Sequence, residues 1–226
     1  VEKMFTKRYP FKILSEHDAK LAAFAEWKHM KMDDNVLENS LMQIQSIGIG
    51  VGAGSVINGR IIKGAVGVAG EIGHMGINFN GPKSERNNQG AFEYYAGTES
   101  CCRYLQEMMY QYPQSPLRED SKYEEILQAY YAGDELARAV IGKLAWMLGY
   151  GIASLAFVLN PNRVVIDNDY PRTEEFILMV KQTVKQMVYA EVAENMHIHF
   201  SQLTRDSTLL GGYYQVLQQY LKNNSI

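Results

Sequence analysis

The sequence is poor in cysteine: two in 226 residues, adjacent at Cys101 and Cys102. Neighbouring cysteines build no framework of cross-links, and no basic, apolar leader opens the chain, so the expected setting is reducing and cytoplasmic. Charge of one sign is also missing, since 22 Lys and Arg stand against 25 Asp and Glu for a net −3. Phosphate backbones are bound by basic patches, so a nucleic-acid surface spread over this chain is excluded, and any DNA contact belongs to a segment elsewhere. Long apolar runs are absent too. One long uncharged stretch, 144–162, contains Gly149, Gly151 and two Asn around Pro161. Its apolar part falls short of the ~20 residues of a membrane span, so it reads as a buried helix with no membrane partner. At 46% apolar and 11% aromatic residues, the chain is neither disordered nor collagen-like. A chain this size buries roughly 70% of its unfolded surface, so no staple is required.

Glycine, by contrast, is concentrated: ten of nineteen fall between Gly48 and Gly76. Gly48, Gly50, Gly52 and Gly54 recur at every second residue of a strand-like stretch. Because glycine weakens a strand, something is expected to approach the backbone on that face. The approaching group is either a ligand taken by backbone N–H groups or a closely packed chain segment. No Gly-Lys-Ser/Thr follows, which excludes a Walker loop, and what comes next is a hairpin with Asn58-Gly59 at its turn. Alternation over 41–49 supplies a preceding strand. A helix is expected over about 18–31, with Ser15 or Asp18 as its cap, and an extended segment around Phe11 and Leu14 after Pro10. Further helices are expected over 98–112, 121–132, 134–159, 173–188 and 208–221, with short strands over 163–166 and 197–200. Alternating helices and strands make the class α/β, with no repeat or clear domain boundary.

Three segments carry candidate chemistry. Asp18 stands at a helix start, where it can cap or serve as a general base for a hydroxyl. Glu71 and His74, three apart, share a face if a helical turn starts near Ala69. Ala69-Gly-Glu-Ile-Gly-His74 surrounds them with glycine, so both side chains have little steric cover.

Together these segments resemble the ROK family of sugar kinases and sugar-responsive transcriptional repressors. Its Glu-Asn-Asp-Ala-Asn segment is matched by Glu16-His17-Asp18-Ala19-Lys20, its glycine hairpin by residues 48–59, and its Ala-Gly-Glu-Ile-Gly-His signature by residues 69–74. The resemblance implies an actin-like, ribonuclease H-like fold. It also implies that Asp18 is a catalytic base if kinase activity is retained, and that His17, Asp18, Glu71, His74 and Glu93 bind sugar hydroxyls, with Gly48, Gly50, Gly52 and Gly54 in a phosphate-loop-like hairpin.

The departures shape the expected function. The family's Cys-x-Cys-Gly-x-x-Gly-Cys-x-Glu zinc motif aligns with residues 84–93, where Ser84, Arg86 and Ala91 replace the thiolates, so no zinc is expected. His17 replaces an Asn before the Asp. Asp167-Asn168-Asp169 stands where the family has an adenosine-binding Gly-Gly, and carboxylates there would repel phosphate. An Asp-x-Gly-x-Thr loop, an initiator Met and a helix-turn-helix segment are all missing. The expectation is one carboxy-terminal lobe, residues 1–226, of a larger ROK regulator. That lobe would sense a sugar, form a homodimer, contact DNA through a segment outside this chain, and use no cofactor. ATP and Mg enter only under the alternative, a sugar kinase of the same family. Met108, Met109, Tyr110, Tyr130 and Tyr131 are candidates for a subunit contact or for core, and the cysteines, pointing apart on a helix, are expected to be structural.

Overall fold

The structure is a computed structural model and describes residues 2–11, 13–84, 88–203 and 206–224. Its elements run α1 (Glu2–Thr6), α2 (Asp18–His29), β1 (Ser40–Ile47), β2 (Gly50–Ile57), β3 (Arg60–Ile61), α3 (Glu93–Ala96), α4 (Ser100–Met108), α5 (Tyr123–Tyr131), α6 (Glu135–Leu159), β4 (Arg163–Ile166), α7 (Glu174–Met187), α8 (Ala190–Asn195), β5 (His197–Phe200) and α9 (Ser207–Asn224). The five strands form one sheet in the order β3-β2-β1-β4-β5. β1, β2 and β3 pair antiparallel, whereas β4 joins β1 and β5 joins β4 in parallel. The β2–β3 turn takes positive φ at both central residues, Asn58 at 47° and Gly59 at 76°, the backbone that Asn-Gly favours between twisted strands.

Side-chain alternation divides the core between the two faces of the sheet. Met42 and Ile44 of β1, Val164 and Ile166 of β4 and Ile198 of β5 pack with α4–α7. On the other face Leu41, Val56 and Val165 meet Ala23, Phe24 and Trp27 of α2, which α9 covers in turn. α6 is long and apolar enough to cross a membrane by composition, yet 61% of that window is buried inside the protein. Asp134 caps it by accepting the Ala137 N–H at 2.8 Å, and Asn160 closes it in the left-handed region.

Two small residues let helices and sheet approach closely. A Cβ on Gly54 would lie 2.2 Å from the Ala19 carbonyl oxygen and 2.6 Å from Ala23 Cβ. One on Gly151 would meet the Phe92 ring at 2.1 Å. Of the apolar candidates for a subunit contact, Tyr130 is buried, while Tyr110 and Tyr131 are exposed. Cys101 is buried and Cys102 partly so. Burial pushes both thiols up, Cys101 furthest, which leaves little thiolate for chemistry.

α2 itself carries a buried carboxyl, Glu26, which accepts a hydrogen bond from Ser201 Oγ. Burial lifts it above the ordinary range; the Ser201 donor, His199 and His29 oppose that rise, and Asp167 adds to it. With a raised native value the folded chain holds this proton more tightly than the unfolded chain. Its contribution to stability is therefore present at low pH and falls as pH rises through the ordinary carboxylate range and beyond. Glu26→Gln keeps an acceptor for Ser201 and removes the buried charge. Thermal scans across pH should show the variant melting higher than the parent near neutrality and alike at low pH; a lower Tm near neutrality would contradict this account.

Candidate functional site

The amino end of α2 and two loops bring five side chains together. Contrary to the capping expectation, the N-cap residue of the helix is His17, which makes no side-chain cap bond. Asp18 is the first helical residue, and its Oδ1 accepts the N–H of Ala19 at 2.7 Å. The same oxygen lies 2.9 Å from His17 Nδ1. On the far side of that ring, His17 Nε2 is 3.0 Å from Glu71 Oε1. Glu71 Oε2 is 3.6 Å from His74 Nε2, and His74 Nδ1 is 3.2 Å from Glu93 Oε1. The result is a continuous row, Asp18–His17–Glu71–His74–Glu93, in which three carboxylates alternate with two imidazoles.

Each member is placed by its local backbone. The turn carrying Glu71 and His74 is a 3-10 turn, Ile72–His74, three residues later than expected, and it still puts the two on one face. Gly73 has no room for a side chain, because a Cβ there would lie 2.4 Å from the Val51 carbonyl oxygen and 2.7 Å from Glu93 Oε2. Glu93 opens α3, directly after Phe92, whose buried ring sits against Gly151 of α6. The His74 carbonyl takes the Asn88 amide at 3.1 Å. Its Nδ1 is buried without a bond of hydrogen-bond geometry, so the 3.2 Å contact with Glu93 leaves a polar atom to satisfy.

The loop before Glu71 is fastened at two points that the sequence reading did not single out. Lys63 pairs with Glu16, and the buried Lys20 donates to the Gly67 carbonyl. Burial alone would raise the Glu16 carboxyl, but the Lys63 ammonium and the His17 N–H outweigh it and hold it below the usual range. Gly70 then accepts the Ala53 N–H at 2.9 Å, which ties the loop to β2. The one legible signal was Lys20 itself, standing where the resembling family has Asn.

The glycine stripe takes the packing alternative. Ala53 turns its N–H outward to Gly70, so its neighbours Gly52 and Gly54 turn theirs toward β1, where they pair with Gln45 and Gln43. What approaches the face of Gly54 is α2. Gly50 continues the strand, and Gly48 occupies the β1–β2 turn at φ 62°, its carbonyl accepting from Thr98 Oγ1 and the Glu99 N–H. The expected offer of N–H groups to a ligand is therefore corrected at Gly52 and Gly54.

At the carboxyl end of β4, Asp167 accepts the Asn168 N–H at 2.6 Å and faces Gln43 Nε2 at 3.4 Å. Asn168 donates to the Leu203 carbonyl and accepts from Arg172. Side chains thus fill the place where a bare Gly-Gly was the alternative. The residues available for zinc do not fit it: Ser84 and Ala91 bring no thiolate to His74, and among the described residues no group of three His, Cys, Asp or Glu could hold a metal. Of that aligned motif, Glu85, Arg86 and Asn87 lie outside the described residues, as does Lys12 in the extended segment after Pro10.

A mixed sheet with helices on both faces, and an acidic site at the amino end of a helix laid across it, define an actin-like α/β lobe. The ROK family profile matches residues 1–219, and the chain belongs to that family. It is 31% identical over 216 residues to a glucokinase of Halalkalibacterium halodurans, covering 92% of this chain and 64% of the relative. It is 25% identical over 218 residues to the xylose repressor of Bacillus subtilis, covering 95% of this chain and 53% of the repressor. The chain thus spans between half and two thirds of these relatives. Among solved structures, a ROK glucokinase from Streptomyces griseus in complex with glucose and AMPPNP superposes with a TM-score of 0.81 at 22% identity, over 96% of this chain and 72% of that one. A ROK transcriptional regulator homologous to the E. coli MLC protein superposes with a TM-score of 0.77 at 24% identity, over 93% and 53%.

Proposed function

We propose that this chain is the sugar-sensing and dimerisation part of a ROK transcriptional regulator, a cytoplasmic protein whose DNA contact lies in a segment outside this chain. A sugar or sugar derivative would bind through its hydroxyls to Asp18, Glu71, His74 and Glu93, by charge-assisted hydrogen bonds. Preference for one arrangement of the protein would then shift it between DNA-bound and released states.

The observation that carries this reading is the position of His17. A kinase needs a free carboxylate to take the proton of the attacking hydroxyl, with the rest of catalysis supplied by positioning and charge. Here the Asp18 carboxylate is engaged by the His17 ring, which also spans to Glu71. The His17 ring thus stands between two of the carboxylates assigned to the sugar, within hydrogen-bond distance of each. The carboxylate at Asp167 and the missing thiolates support the same reading, under which neither ATP, Mg nor zinc is used.

Retention of Asp18 and the 31% identity to a glucokinase favour a second reading, an ATP-dependent sugar kinase. Two measurements on the full-length protein separate them. Isothermal titration against hexoses, pentoses and amino sugars should show saturable binding of at least one, while a coupled assay with ATP shows no sugar-dependent ADP release. Silence across the panel with an intact fold would remove the sensor reading, and sugar-dependent ADP release that disappears in Asp18→Asn would establish the kinase.

A further inference from the structure

A second cleft lies at the opposite edge of the sheet, between β5, α7 and α8, and shares no residue with the site above. It is a groove of about 550 Å3. Its polar lining is mostly basic: Arg163 of β4, Lys181 and Lys185 of α7, and His197 and His199 of β5, with Glu194 as the single lining carboxylate. Register explains how this cluster forms. Arg163 pairs with His197, and Val165 with His199, so the guanidinium and both imidazoles emerge on one face of neighbouring strands. Lys181 and Lys185, four apart, emerge together from α7. Val184, Met196 and Ile198, all buried, form an apolar floor.

These cations are not consumed by the protein. Among the described residues Arg163, Lys181 and Lys185 form no ion pair. Arg163 reaches the Lys31 carbonyl with Nη2 at 3.3 Å, and its Nε is buried with no hydrogen-bond partner. Asp33 exerts a charge interaction on Arg163 and His197 from a partly exposed position, where water weakens it, while Glu26 of α2 exerts one on His199, whose Nδ1 lies 3.0 Å from the Phe200 carbonyl. In a chain with net charge −3, unpaired cations around an orphaned guanidinium nitrogen call for an anion. Four donor side chains, Arg163, Lys181, Lys185 and His197, suit a dianionic tetrahedral group better than one carboxylate, and the volume and apolar floor leave space for a small carbon body beside it.

We infer that this groove is a binding site for a phosphate monoester, separate from the proposed sugar site. Around the edge strand β5, the Arg163 fork and His197 reach the phosphate from the face that α2 covers and the two lysines reach it from α7 on the other face, with the carbon skeleton on Val184, Met196 and Ile198.

The test is titration of the full-length protein with inorganic phosphate, a hexose 6-phosphate and a short DNA duplex. Saturable binding of the hexose phosphate is expected, tighter than that of inorganic phosphate. The exposed double variant Lys181→Ala/Lys185→Ala should weaken it by roughly 10-fold or more, the scale of losing hydrogen bonds to a charged group. Arg163→Gln should weaken it comparably. Binding of any sugar at Asp18 and Glu71 should be unchanged in both, so failure here and failure of the sensor reading are separable. Absence of saturable binding by either small phosphate, or binding that survives the double variant with unaltered circular dichroism, would overturn the assignment. Duplex binding lost in the double variant while small phosphates do not bind would replace it with a nucleic-acid surface.

Discussion

Gly54→Ala should lower stability by about 3 kcal/mol, the upper part of the range for forcing a methyl group into packed structure. For a chain of this size that is a fall in Tm of roughly 6–12 °C. The added carbon would sit 2.2 Å from the Ala19 carbonyl oxygen and 2.8 Å from its carbonyl carbon. These are backbone atoms, with no rotamer to change, so the amino end of α2 must lift from β2. Asp18 precedes Ala19 and moves with it, so sugar affinity should fall alongside stability. Gly52→Ala, two residues back on the same face, is the control: its Cβ would be 3.8 Å from Ala19 Cβ, an ordinary contact, and should cost less than ~1 kcal/mol. Equal urea midpoints for the two variants would mean that contact with α2 does not determine the glycine at position 54.

Asp18→Asn and His17→Asn should move sugar affinity in opposite directions. A hydroxyl bonded to a charged group contributes about 1.5–3 kcal/mol, so neutralising Asp18 should weaken binding by roughly 10- to 100-fold. His17→Asn removes the ring that spans Asp18 and Glu71 and frees both carboxylates, with a shorter amide in place of the imidazole. Affinity should rise by about 10-fold, since the ligand no longer displaces an internal pair. The same variant tests for dormant catalysis, because Asp18 then has no imidazole competing for it. If His17→Asn instead weakens binding as much as Asp18→Asn does, His17 is a direct sugar donor, and its bridging position is not an obstacle to the ligand.

Much of this molecule was legible before its structure, wherever the signal was local. β4 and β5 fall on 163–166 and 197–200 as expected, the Asn58-Gly59 turn follows its sequence, and α2, α6 and α7 begin and end within two residues of their expected bounds, while α9 runs three residues further. α3 and α8 escaped because one turn or so is too short to establish a period of 3.6. The parallel joining of β1 to β4 is set by tertiary packing between segments more than a hundred residues apart, which no local pattern encodes. The site shows the same division. Residue types and spacing pointed to Asp18, Glu71 and His74, the family resemblance added His17 and Glu93, and the structure places all five together. What spacing could not reveal was direction: that His17 turns between two carboxylates, or that the Gly54 face is met by a helix and not a ligand. The two lysine fastenings, Lys63 to Glu16 and Lys20 to Gly67, connect positions 47 apart in sequence and became visible only once the loop was folded back on α2.

The long apolar helix α6 has a consequence for biosynthesis. It leaves the ribosome before α7, the neighbour that covers part of its flank, has been made. At ordinary rates of translation that interval lasts on the order of seconds, far longer than a helix takes to form. During it the nascent chain presents a segment with the length and oiliness of a membrane anchor. Gly149 alleviates this once α7 arrives: a Cβ there would lie 2.7 Å from Thr183 Cβ, so its bareness lets the two helices close tightly. The same residues that make the finished core dense therefore make the half-made protein dependent on rapid helix docking or on a chaperone's shelter.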